Sequence, residues 1–236
     1  MLLPQESLND DNLVKHNLAV ALQEEIIRGN LLPGERIVEG TWGRKYGVAQ
    51  ASVREAINIL IADGFATKKS GRSARVTQYS EQDVARIYDL RGALEGLAAR
   101  LIVEQKANLA PLEHALSEMA RAGAGGDMRE LVETDIRFHL VLCELSGNPF
   151  LFESLRRILK PFFAFALMRN IQTHQTPEPW RNDIEYHQRI IDFLREGDST
   201  LAETYIRHVM GKFASRAYAI WENKQGSETR AHAGAE

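Results

Sequence analysis

Apolar positions recur at helical spacing along most of the chain. Leu13, Leu18, Leu22, Ile26 and Ile27 mark one face of a first helix, and Gly29 ends it. Leu32-Pro33-Gly34-Glu35 is a turn signal. A short segment from Val38 to Tyr46 closes at Gly47. Ala51 to Asp63 then repeats Val53, Ile57, Leu60 and Ile61 on one side before Gly64. Phe65 to Lys69 and Ala74 to Thr77 are β-prone stretches around the basic turn Ser70-Gly71-Arg72-Ser73. Helix, short helix, second helix and basic hairpin together predict a winged helix-turn-helix over residues 10–79.

From Ser80 onward the pattern is helical almost throughout. Ser80-Glu81-Gln82-Asp83 reads as an N-cap with acids in the first turn. Further helices are predicted over Leu109–Ala122, Met128–Leu145, Phe150–Arg169 with Pro161 inside, Trp180–Arg195 and Leu201–Ile220. Ala124-Gly125-Gly126 is a loop. The fold class is therefore mainly α: the winged module, then an antiparallel all-α bundle over residues 80–223 and an irregular polar tail over 224–236.

Composition narrows the possibilities. Apolar residues make up 44% and charged residues 26%, as in ordinary globular chains. No apolar run approaches the roughly 18 residues of a membrane span. Met1 to Asn12 holds acids and no Lys or Arg, unlike a signal peptide. The single cysteine, Cys143, fits a reducing compartment, so a cytoplasmic protein is expected. Net charge is −3, yet residues 15–78 hold ten Lys or Arg against six Asp or Glu. A mildly basic front on an acidic remainder suggests two modules with different partners.

In a helix-turn-helix the second helix enters the major groove, and its first residues face the base edges. Here that helix opens with Gln50-Ala51-Ser52-Val53-Arg54. Arg54 suits guanine and Gln50 suits adenine. Ser52 and Arg44 are placed to hold phosphates, and Gly71 and Arg72 at the hairpin tip to reach the minor groove. The competing reading pairs Arg54 with Glu55 or Asp63 on a solvated helix.

Ile27-Arg28-Gly29, Leu32-Pro33-Gly34-Glu35-Arg36-Ile37, Tyr46-Gly47-Val48, Val53-Arg54-Glu55-Ala56-Ile57, Leu60 and Asp63-Gly64-Phe65 resemble the N-terminal domain of GntR-type bacterial transcription regulators. The resemblance implies that Arg54 is a DNA-contacting arginine and that Gly71 lies in the wing. Gln50, Ala51 and Ser52 stand where that family usually has Arg, Thr and Pro, so operator sequence does not carry over.

In the bundle, Asp135 and His139 are four apart and share a helix face with Leu131, Leu142 and Cys143. His187 lies on the stripe Ile184, Ile191, Leu194, and His208 beside Tyr205 and Val209. Burying a carboxylate and three imidazoles without partners is costly. A divalent ion (zinc, nickel, manganese or iron) would satisfy all four, with water or ligand oxygens completing its shell. Arg91, between Ile87 and Leu94, also needs an anion: an internal partner, Glu95, or the carboxylate of a small effector. His16, His114, His174 and His232 are read as surface residues, Cys143 as a buried thiol, and Phe162, Phe163 and Phe165 as core.

Tyr88-Asp89-Leu90-Arg91 with Glu95, Asp135 and His139, Ser146-Gly147-Asn148-Pro149, His187 and His208 resemble the FCD-type ligand domain of the FadR subfamily. The resemblance implies that Asp135, His139, His187 and His208 are metal ligands and that effectors are small organic acids. Two functions follow. One is a homodimeric, effector-responsive regulator, expected to repress, on a near-palindromic double-stranded operator, with no membrane partner. The other is a metal-dependent hydrolase built on the same four residues. Against the hydrolase, the same stripes offer no further carboxylate as general base, and the basic module would have no role.

Overall fold

Val14, Leu18, Leu22 and Ile26 follow one another at i, i+4 spacing, and all four are buried on one side of helix α1 (Asp11–Ile27). The computed structural model describes residues 11–69, 72–173 and 178–232. Helix α2 (Glu39–Tyr46) ends at Gly47, which takes φ 68° and donates its N–H to the Gly43 carbonyl. That left-handed cap is accessible to glycine without steric cost. It turns the chain within three residues into α3 (Gln50–Ala62), which buries Val53, Ala56, Ile57 and Leu60.

Strand β1 (Ala66–Thr67) pairs antiparallel with β2 (Arg75–Val76), with Ala66 opposite Val76 and Thr67 opposite Arg75. The stretch expected only as a turn near Glu35 also joins this wing. Ile37 donates its N–H to the Ala74 carbonyl at 2.9 Å, and Val76 donates to the Glu35 carbonyl at 2.9 Å. A ladder this short carries no periodic signal to be read.

The chain forms two compact units, residues 1–78 with 157–175, and residues 79–156 with 176–236. The segment from Arg157, inside the expected 80–223 bundle, packs with the first unit. Helix α7, introduced here as Pro149–Thr173, is continuous through Pro161, and its portion from Arg157 belongs to the first unit. Ala164 joins a core of Leu18, Leu22, Trp42, Val53, Leu60 and Phe65, while Pro161 and Phe165 line a small recess with Ile26, Phe65 and Val76. Pro161 removes the N–H that would serve the Arg157 carbonyl. Gly64, at φ 81°, packs there: a Cβ on it would stand 3.0 Å from that oxygen and 3.2 Å from the Pro161 ring.

The second unit holds α4 (Glu81–Gln105), α5 (Ala110–Gly125), α6 (Met128–Leu145), the start of α7, α8 (Glu178–Glu196) and α9 (Ser199–His232). Ser80 caps α4 as expected. Its hydroxyl accepts from the Asp83 N–H at 3.2 Å, and the Asp83 carboxylate accepts the Ser80 N–H at 3.0 Å. Gly92 and Gly96 let α4 lie close to Met210 and Glu203 of α9. Two boundaries differ from expectation: α5 runs on through Ala124 to Gly125, and α9 through Lys224 to His232. Lys224, Gln225, Glu228, Arg230 and Ala231 are good helix formers in this stretch, and they carry the helix past Gly226, Ser227 and Thr229. No helix among the described residues is long and apolar enough to cross a membrane.

Candidate metal centre and nucleic-acid interface

Asp127 begins α6 by accepting the N–H groups of Arg129 at 2.8 Å and Glu130 at 3.2 Å. Two turns on, Asp135 and His139 point into the unit from one face, and His187 reaches the same place from α8. Their exposures are 4%, 2% and 2%. His187 Nε2 lies 3.0 Å from Asp135 Oδ1, His139 Nε2 lies 3.2 Å from His187 Nε2, and His139 Nε2 lies 3.6 Å from Asp135 Oδ1. Donors about 2.1 Å from one ion stand about 3.0 Å apart at octahedral angles and about 3.4 Å apart at tetrahedral ones. The triangle matches one face of either polyhedron, so the three side chains could hold a divalent metal ion. Two imidazoles and a carboxylate on one face leave the opposite positions open.

Helix α4 supplies the surroundings. Glu95, fully buried, places Oε2 at 2.7 Å from His139 Nδ1 and accepts Arg91 Nε on Oε1 at 2.8 Å. The contact with His139 is an ion pair whenever the imidazole is protonated. A carboxylate behind a ligating histidine fixes which ring nitrogen faces the metal. Phe138 closes one side, edge-on to His187 at 4.7 Å between ring centres and to His139 at 5.7 Å.

Burial opposes charge on Asp135, Glu95 and His139, and their neighbours outweigh it. Burial would raise Asp135, but the His139 charge and hydrogen bonds from His139 and His187 hold its carboxyl well below the usual range. Glu95 is likewise lowered, against burial, by Arg91 and His139. His139 is raised: burial would lower it, and Glu95, then Asp135, overcome that. Carboxylates thus alternate with groups able to carry a positive charge. A metal would take the place of the His139 proton.

His208, expected as the fourth ligand, is exposed and outside this group. The inward stripe of α9 runs through Ala202, Ile206, Val209 and Met210. One residue of offset rotates a side chain about 100° around a helix, so Val209 holds the inward place and His208 faces out. The sequence offers Glu95 as an internal partner for Arg91 and as part of the FCD resemblance; its contact with His139 depends on α4 lying against α6, which no local pattern encodes. Of the remaining histidines, His16 and His114 are exposed, and His174 and His232 lie where no side chain is described. Cys143 is buried, and burial pushes its thiol up. Phe162, Phe163 and Phe165 are buried.

In the first unit, Arg44, Gln50 and Arg54 are exposed and Ser52 is half-buried, along α2 and the start of α3. Arg54 pairs with neither Glu55 nor Asp63. It donates Nε to Glu39 Oε1 at 3.1 Å and Nη2 to Glu39 Oε2 at 2.7 Å. Lys68, Lys69 and Arg72 are exposed on the hairpin, and Gly71 lies outside the described residues. A groove of about 320 Å³ between the hairpin and α3 is lined by Arg36, Glu39, Arg54, Asn58 and Lys68, three cations against one anion.

Comparison with known proteins assigns both parts of the chain to known domains. Residues 86–212 match the FCD domain, and residues 15–76 match the gntR family of bacterial regulatory proteins. The chain is 27% identical over 195 residues to the HTH-type transcriptional regulator YdhC of Bacillus subtilis, covering 81% of this chain and 84% of that one. It is 26% identical over 196 residues to the HTH-type transcriptional repressor GlaR of Escherichia coli, covering 79% and 87%. The fold matches that of Escherichia coli McbR/YncC with a TM-score of 0.71 at 21% identity, over 88% and 98% of the two chains. These are regulators and not enzymes, which sets the hydrolase aside. A helix-turn-helix that binds DNA, followed by an FCD domain around a buried Asp-His-His cluster, makes this chain a member of the GntR family of bacterial transcription regulators.

Proposed function

We propose that the protein is a cytoplasmic, homodimeric, metabolite-responsive repressor of the FadR type. It binds a near-palindromic operator and senses a small carboxylate through a divalent metal ion held by Asp135, His139 and His187. The observation that carries the sensing role is the convergence of three buried donor atoms at 3.0–3.6 Å. The metal, when bound, supplies a Lewis acid for an effector oxygen. Glu95 keeps His139 turned toward that ion, and Arg91, the buried cation paired with Glu95, receives the effector's carboxylate. Arg44, Gln50, Ser52 and Arg54, with Gly71 and Arg72 of the wing, form the DNA-reading surface. An effector that favours one arrangement of the paired DNA modules shifts operator affinity by its difference in affinity for the two arrangements.

The test measures metal content and the change in operator binding caused by carboxylates together. Purified protein should bind one divalent ion per chain by mass spectrometry, and His187→Ala should lose it. Arg91→Ala should weaken the response to carboxylates while retaining operator affinity. Full metal content in His187→Ala would refute the site.

A further inference from the structure

Arg54 meets Glu39 with one particular edge of its guanidinium. Nε and Nη2 are both engaged, one on each carboxylate oxygen, at 3.1 and 2.7 Å. This side-on fork uses the Nε proton and one Nη2 proton. It leaves both protons of Nη1 and the second of Nη2; the latter and one Nη1 proton lie along the far end of the planar group, while the other Nη1 proton points back toward Cδ. That outer edge is itself a fork, with the spacing that bridges guanine O6 and N7.

The two partners are unequally anchored. The Glu39 side chain is 28% exposed and Arg54 56%. Glu39 sits in the first turn of α2, where the helix dipole favours a carboxylate, and its hydrogen bond with Arg54 lowers its pKa. An exposed ion pair adds little to folding. What it does here is restrict a long, rotamer-rich side chain before DNA arrives, which lowers the ordering cost of binding. Arg36 and Lys68 on the same groove keep the surface positive despite the acid.

We propose that Glu39 is a positioning residue for base reading: it clamps the inner edge of Arg54 so that the outer edge is presented to a guanine. This rests on the reading of α3 as the recognition helix.

The experiment selects duplexes from a random-sequence pool with the full-length wild type, Glu39→Gln, Glu39→Asp and Arg54→Ala. The wild-type-selected duplex and a random duplex of equal length are then used as probes. Wild type should fix a guanine in each half-site, and Arg54→Ala should lose it. Glu39→Gln should lose preference at the same position, with affinity for the selected duplex falling roughly 5- to 150-fold, the worth of one bidentate base contact. The same variant should bind the random duplex more tightly, because a negative charge has left the groove; misfolding would weaken both. Glu39→Asp keeps the charge but falls one methylene short, and should also lose discrimination. Wild-type discrimination in both Glu39 variants, with loss in Arg54→Ala, overturns the clamp. Retained guanine preference in Arg54→Ala overturns the recognition-helix reading and the clamp with it.

Discussion

Glu95 stands between the buried Arg91 guanidinium and the His139 imidazole, and replacing it by glutamine tests whether its charge is needed there. Its oxygens lie 2.8 Å from Arg91 Nε and 2.7 Å from His139 Nδ1. At an effective dielectric of about 20, each contact corresponds to roughly 6 kcal/mol of attraction, most of it offset by desolvation. Removing one partner of a buried pair costs about 3–5 kcal/mol, because the remaining charge loses its nearest counter-ion. His139 can shed its proton; Arg91 cannot, so the expected loss is near the lower end, about 3 kcal/mol. At roughly 2–4 °C per kcal/mol for a chain of this size, Glu95→Gln should lower the midpoint of metal-free thermal unfolding by about 6–12 °C. Circular dichroism at neutral pH with a chelator reads this directly. Calorimetric titration should show divalent-ion affinity falling about 10- to 100-fold, as when a group behind a ligand is removed. A midpoint within 2 °C of wild type would show that the charge on Glu95 does not compensate Arg91.

The remaining predictions address other parts of the molecule. Glu95 and Asp135 are held below their ordinary values of 4.5 and 3.8, so their stabilisation is present above those values and is lost as pH falls below them. His139 is raised above 6.5, so its contribution is complete below that pH and is lost as pH rises through the folded value. Metal-free protein should therefore be most heat-stable between these limits, and metal should bind more tightly with rising pH; a midpoint that rises steadily from pH 6.5 to 9 with chelator present would contradict this. His208→Ala should leave metal content unchanged by mass spectrometry, and loss of the ion would return His208 to the ligand set. Gly64→Ala should cost at least about 1 kcal/mol from positive φ alone, with more from the crowded Arg157 carbonyl, measured by denaturant midpoint. Arg54→Ala should abolish operator discrimination yet melt like wild type, which gel-shift and thermal scans check together.

Much of this arrangement was legible in the chain because it depends on local spacing. Tyr46-Gly47-Val48 announces the tight turn of the helix-turn-helix, and the four-residue step from Asp135 to His139 places both on one helix face. His187 was legible from the apolar stripe around it. What could not be read depends on angle or on distant packing. His208 and Val209 are adjacent in sequence, and only the rotation of α9 against its neighbours decides which faces inward. Glu39 and Arg54 are 15 residues apart on different helices, so their pairing needs the crossing of α2 and α3. The second half of α7 carries an apolar pattern that would suit either unit, and the pattern does not name its partner.

The division of α7 has a consequence for recombining such proteins. A gene fusion that severs the chain after Gln78 would strip the head of Pro161, Ala164 and Phe165, leaving the oily side of Ile26 and Phe65 facing water. Swapping reading heads between relatives thus calls for carrying a second, distant stretch of sequence along with the first, and a head expressed alone should be sticky and poorly folded.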